Sequence, residues 1–270
     1  MLLERMRGGL YGFAVGDLLE WPADACGQSA ARMRQEPGGC AAPCAAPADA
    51  SLTLAAMDSL CGGFDMEDLV RRFSPGWQPG AHSALPRVLP LAFFLFPSAG
   101  TEVARSPCAM GRIHAVSALT SARPDSLVAC GLYVCIACGL LAGQGTERAV
   151  RQGVLSAMRY YLECEGGRFQ RELCRWIGMA DTQTFAGRAP DGTDAFRTAV
   201  HCLLCTQTYP ACVQSAARLG GRPAAAVAGS LAGIAYGESG IPAQWRMCIP
   251  QRGEMDSLCA KMYAFCALYA

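Results

Sequence analysis

The sequence predicts an all-α fold, and three observations carry that prediction. Apolar residues recur with a helical period from the first stretch to the last, and no convincing strand-type alternation or hairpin dipeptide accompanies them. Hydrophobic residues make up 52% of the 270 positions against 17% charged, enough apolar material for one large buried core. The chain is therefore read as a single domain over residues 1–270.

Taken in order, Leu10 to Leu19 opens the chain as an apolar helix, and Ser51 to Leu60 ("SLTLAAMDSL") is the second. Leu85 to Phe96 is aliphatic and aromatic, with Pro90 expected to interrupt it. Helices are then expected over Asp125 to Ala142, Glu147 to Tyr161 and Gln170 to Trp176. The second half continues with Asp194 to Cys205, Tyr209 to Leu219, Ala224 to Tyr236 and Met255 to Ala270. Two Gly/Pro-rich joints separate these segments, Cys26 to Ala48 and Phe185 to Asp194. Neither divides the chain, because the helices flanking them are too apolar to stand alone.

Charge excludes one function class. A formal net charge of +1 with scattered arginines offers no footprint for nucleic acid, which is not an expected partner. The uncharged stretch Ser126 to Thr146 is long enough to span a bilayer. Its Gly, Ala and Cys content and missing basic flank instead predict a helix buried on all sides, and no membrane association. The sixteen cysteines sit mostly inside apolar helical text, where a reduced thiol packs as a small hydrophobe. The CxxC pairs Cys135/Cys138 and Cys202/Cys205 lack the turn residues of redox or zinc sites, and only three histidines accompany them. The N-terminal text "MLLERMRGGLYGFAVGD" shows no cleavable signal, so a reducing cytoplasm is the expected compartment.

Glycine spacing points to a close helix contact. Gly229, Gly233 and Gly237 recur every four residues and share one face, across which a neighbouring backbone can approach. The loop before them, "RLGGRP", has the shape of a site loop yet carries no carboxylate, hydroxyl or histidine.

Several segments together resemble one family. "RGGLYGFAVGDLLEWPAD" (Arg7 to Asp24), "ADASLTLAAMDSL" (Ala48 to Leu60), "RVLPLAFF" (Arg87 to Phe94) and "VSALTSARPDSLVACGLYV" (Val116 to Val134) are similar to the ADP-ribosylglycohydrolases, in the family's order. "DAFRTAVHCLL" and "LGGRPAAAVAGSLAGIAYGESGIPAQW" match its last third, so the resemblance covers roughly residues 7 to 250. It implies an all-helical orthogonal bundle whose active members hydrolyse the bond between ADP-ribose and an acceptor side chain. Those members use two magnesium ions held by carboxylates and a threonine, since adjacent hard dications need several anionic oxygen ligands.

The chain departs from that pattern at the ligands. The early Thr-Asp-Asp-Thr run falls on Pro47, Ala48, Asp49 and Ala50, and the late aspartate loop falls on Gly221, Arg222, Pro223 and Ala224. The His-Ala-His-Pro segment reads Ser121, Ala122, Arg123 and Pro124, and His82 stands near the position of the family's loop asparagine. Asp17 and Asp24 remain as the candidate catalytic carboxylates. Asp49, His82, Gly220, Gly221 and Arg222 are the candidate ligand-binding residues, with Arg222 a forked phosphate anchor in place of metal. No metal-ligand set and no cofactor are expected, one weakly held Mg²⁺ at most.

The bland readings are a helix-terminal carboxylate for Asp17, an N-cap for Asp49, a solvated turn for Asp24 and an exposed loop arginine for Arg222. His114 and His82 read as structural or exposed. Three function classes follow. The first is a degenerate family member that binds an ADP-ribose-like ligand or a protein through the old cleft. The others are a weak hydrolase using Asp17, Asp24 and Asp49, and a structural subunit whose cleft is filled.

Overall fold

A computed structural model describes residues 1–20, 32–33, 48–74, 85–188, 192 and 194–268. Its element order is helical nearly throughout. Helix α1 (Leu2–Leu18) leads to a two-residue antiparallel pair, β1 (Leu19–Glu20) with β2 (Arg32–Met33), in which Leu19 faces Met33. A two-residue ladder carries no alternation, so no strand pattern announces it. Then come α2 (Ala48–Leu60), α3 (Met66–Phe73), α4 (Leu89–Ala99), α5 (Pro107–Ala118), α6 (Pro124–Leu141) and α7 (Thr146–Glu163). The chain continues through α8 (Gln170–Trp176), α9 (Thr182–Ala186), α10 (Ala195–Cys205), α11 (Tyr209–Tyr236), α12 (Ala243–Met247) and α13 (Arg252–Ala267).

Helix α6 and the second half of α11 form the centre. Every residue from Leu127 to Leu141 and from Ala224 to Ile234 is buried, and Tyr133 Oη donates to Ser230 Oγ across the two helices at 2.8 Å. Helix α6 is long and apolar enough to cross a membrane, but 83% of it is buried inside the protein. Its apolarity thus serves internal packing.

The glycine face of α11 finds its partner in α1. Gly8 lies on Gly233, Gly12 on Gly229 and Gly16 on Ala225, so the two helices run antiparallel with backbone against backbone. A Cβ built on Gly12 would fall 2.9 Å from the Gly229 carbonyl carbon and 3.1 Å from the Tyr209 ring. The Tyr209 hydroxyl seals this contact by donating to the Gly12 carbonyl at 2.9 Å.

Some boundaries differ from the sequence reading. Pro90 does not interrupt a helix; it occupies the first turn of α4, where its missing N–H has no helical acceptor to lose. Asp49 lies within the first turn of α2, one residue inside the helix, and is not its N-cap. Helices α3 and α5 were not expected, although both carry start signals. Asp65 caps α3 by accepting from the Glu67 and Asp68 amides, and Ser106 caps α5 by accepting from the Ala109 amide ahead of Pro107. Among the cysteines, Cys135, Cys138 and Cys202 are buried as expected of core thiols, whereas Cys205 is exposed and lies 3.7 Å from His201 Nε2.

Candidate functional site

The site is built where α1 ends and α11 restarts. Asp17 occupies the last turn of α1, where unpaired carbonyls make a carboxylate unfavourable. Its side chain is only 4% exposed, so its charge needs a counter-charge in contact. That charge is Arg222, whose Nε donates to Asp17 Oδ1 at 2.8 Å.

The local sequence dictates how Arg222 reaches back. Helix α11 is broken at Gly220 (φ −138°, ψ 15°) and Gly221 (φ +66°, ψ −164°), the latter a conformation that only glycine takes without strain. A Cβ on Gly220 would also press on Thr198 Cγ2 at 3.1 Å. After the break, Pro223 pre-sets the backbone for the new helix. The four residues Gly220, Gly221, Arg222 and Pro223 therefore end one helix, turn the chain, present a guanidinium to Asp17 and start the next helix.

The surroundings fix this corner. Gly192 (φ +76°) lies against the Leu219 carbonyl, and Asp194 caps α10 through the Phe196 and Arg197 amides. Arg175 bridges Asp194 (2.6 Å) to Asp125 at the start of α6 (3.4 Å), which ties the N-terminal end of α6 to the start of α10.

The structure thus brings Asp17, Gly220, Gly221 and Arg222 together. Asp24 and His82 lie outside the described residues, as does the side chain of Asp49, whose backbone starts α2. Among the described residues, no group of three or more His, Cys, Asp and Glu side chains is placed to hold a metal ion.

Sequence reasoning missed one residue of consequence, Arg87. It stands in the 3-10 turn Pro86–Val88 and is fully buried, the bulkiest side chain to be so. Its charge favours the thiolate of Cys130, yet burial dominates there and pushes the Cys130 thiol up to about 12. The signal was an arginine placed immediately before an apolar run, where a surface residue has no room. His114 is structural, as its isolation suggested. Its ring stacks on Tyr161, and its Nε2 lies 2.9 Å from the Tyr161 hydroxyl, which itself donates to the Leu127 carbonyl.

An all-helical fold whose candidate site closes on a broken helix and a buried carboxylate belongs to a recognisable class. The family model for ADP-ribosylglycohydrolase matches residues 74–269, and the chain belongs to that family. A solved structure described as "ADP-ribosylglycohydrolase-related protein complex" is similar in fold, with a TM-score of 0.68. That similarity covers 97% of this chain and 98% of the other at 20% sequence identity. A search of the curated proteins found no match.

Proposed function

We propose that this chain is an ADP-ribosylglycohydrolase-family protein without the two-magnesium hydrolase chemistry, and that it binds an ADP-ribose-like ligand through the old cleft. The observation that carries this reading is the Arg222–Asp17 contact at 2.8 Å. A dication near Asp17 would meet a fixed guanidinium. At ~4 Å and an effective dielectric near 20, each unit of like charge costs about 4 kcal/mol. The residue types at this corner therefore do not fit two magnesium ions, and no catalytic step is derived through them. Asp17 is likewise a poor general base, because one of its two oxygens holds the guanidinium and its side chain is only 4% exposed to any substrate water.

The same arginine supports binding. Its side chain is 49% exposed, so a cation built into the fold faces the solvent side of the corner. A phosphate could take a charge-assisted hydrogen bond there, worth about 1.5–3 kcal/mol. Calorimetry with ADP-ribose is the test. Weak, magnesium-independent binding is expected, reduced about tenfold or more by Arg222→Ala, together with no release of ADP-ribose from ADP-ribosyl-arginine or ADP-ribosyl-serine peptides. Turnover of either peptide would restore the hydrolase. Absence of binding to ADP-ribose, ADP and AMP would instead favour a filled, structural cleft.

A further inference from the structure

A cavity of about 600 Å³ lies at the C-terminal end of α6, between α7 and the segment that joins α4 to α5. Helix α6 contributes Cys135 and Gly139 to it, from its C-terminal half. Its start, at Asp125, is tied instead through Arg175 to Asp194 at the start of α10. At about 1.5 Å per residue, Asp125 and Gly139 are roughly 20 Å apart along the helix, so the two places are distinct. The cavity lies within the size range of small-molecule sites.

One face of α7 sets its chemistry. Leu155, Arg159 and Glu163 follow at four-residue intervals, so they share one side of the helix, and all three line the cavity. Leu155 is 51% exposed, an aliphatic side chain left in the open. Arg159 and Glu163 are within reach of each other, yet no ion pair joins them, and among the described residues neither is paired elsewhere. The opposite wall carries Glu102 and Arg105, which pair with each other and leave no net charge on that side.

We propose that this cavity is a second ligand site, for a zwitterion of amino-acid to dipeptide size with an aliphatic side chain. The carboxylate meets Arg159 in forked hydrogen bonds, the ammonium meets Glu163, and the aliphatic part covers Leu155, with Ala104 also in the lining. A simple anion would gain Arg159 but face Glu163 and Glu102. A simple cation would gain Glu163 but face Arg159 and Arg105. Among charged ligands, only one with both charges satisfies the lining without repulsion.

The test is calorimetric titration of the full chain with L-leucine and L-leucyl-L-leucine, each to about 20 mM. At least one of the two should bind, and Arg159→Ala and Glu163→Gln should each weaken it about tenfold, a change of about 1.4 kcal/mol. Both positions lie on the exposed face of α7, and matching melting temperatures will show that the variants fold. N-acetyl-leucine, which lacks the ammonium, and isoamylamine, which lacks the carboxylate, should each bind at least about tenfold more weakly. Arg222→Ala should leave this binding unchanged, which separates it from the family cleft. No heat from either zwitterion would overturn the proposal. So would equal affinity for N-acetyl-leucine, or insensitivity to both α7 substitutions.

Discussion

Arg222 donates to Asp17 across 205 residues of sequence, joining the last turn of the first helix to the break in the eleventh. Asp17 is the buried partner and Arg222 the half-exposed one, so the pair is asymmetric. Removing the arginine leaves a carboxylate in a site with 4% exposure, whereas removing the carboxylate charge lets the arginine turn to water. Arg222→Ala should therefore destabilise by about 1–3 kcal/mol, the exposed arginine keeping the value below that of a fully buried pair. Asp17→Asn should cost less, and the double variant should be more stable than the two single losses added together. Chemical denaturation of the four proteins measures this. Strict additivity would mean that the two side chains do not interact in solution.

The α1–α11 interface makes a sharper claim about size. Gly12 meets the Gly229 backbone with no room for a methyl group, while nothing lies within 4 Å of a Cβ added to Gly111 on α5. Gly12→Ala must push two helices apart along a buried seam and should cost about 3 kcal/mol or more, or prevent folding. Gly111→Ala fills open space inside a helix and should stabilise by about 0.5–1 kcal/mol. Thermal melts of both variants decide it. A harmless Gly12→Ala would mean that the helices do not pack backbone to backbone.

Half of this seam was legible beforehand and half was not. The spacing of Gly229 and Gly233 announced a close approach, while Gly237 ends α11 with φ +75° and packs on Glu4, and the partners Gly12 and Gly8 on α1 are identified only once both helices are placed. The same limit applies to the site. Gly220 and Gly221 marked a helix break because glycine pairs and a following proline are local signals. The Arg222–Asp17 contact is not local, and no period or spacing encodes a pairing across the whole chain. Arg87 escaped for a related reason. An arginine reads as surface until the burial around it is known.

His114 gives a pH signature. Burial against Tyr160, Tyr161 and Phe169 lowers its pKa from the ordinary 6.5, with Glu165 pulling the other way and Arg168 adding to the fall. The folded state therefore binds fewer protons than the unfolded state between the lowered value and 6.5. The stability it contributes is complete above 6.5 and is lost as pH falls from there through the lowered value. Wild type should thus lose more melting temperature than His114→Gln as pH falls from about 7.5 to about 5. Parallel curves for the two proteins would show that His114 does not titrate differently on folding.

Magnesium supplies the last prediction. A ligand that binds the native state alone raises stability by an amount set by its concentration over its Kd. With Arg222 held 2.8 Å from Asp17, an incoming Mg²⁺ must either displace the guanidinium or sit beside it. Displacement loses a charge-assisted hydrogen bond of about 1.5–3 kcal/mol, and sitting beside it adds like-charge repulsion. Either route removes the affinity that a millimolar metal needs. Melting curves in about 5 mM MgCl₂ and in EDTA should therefore coincide for wild type. Removing the resident cation should uncover whatever affinity the remaining oxygens have, so Arg222→Ala is the variant in which a magnesium-dependent rise should first become visible. A rise of several degrees in wild type, abolished by Asp17→Asn or Asp49→Ala, would place metal beside these carboxylates and return the protein to the hydrolase reading.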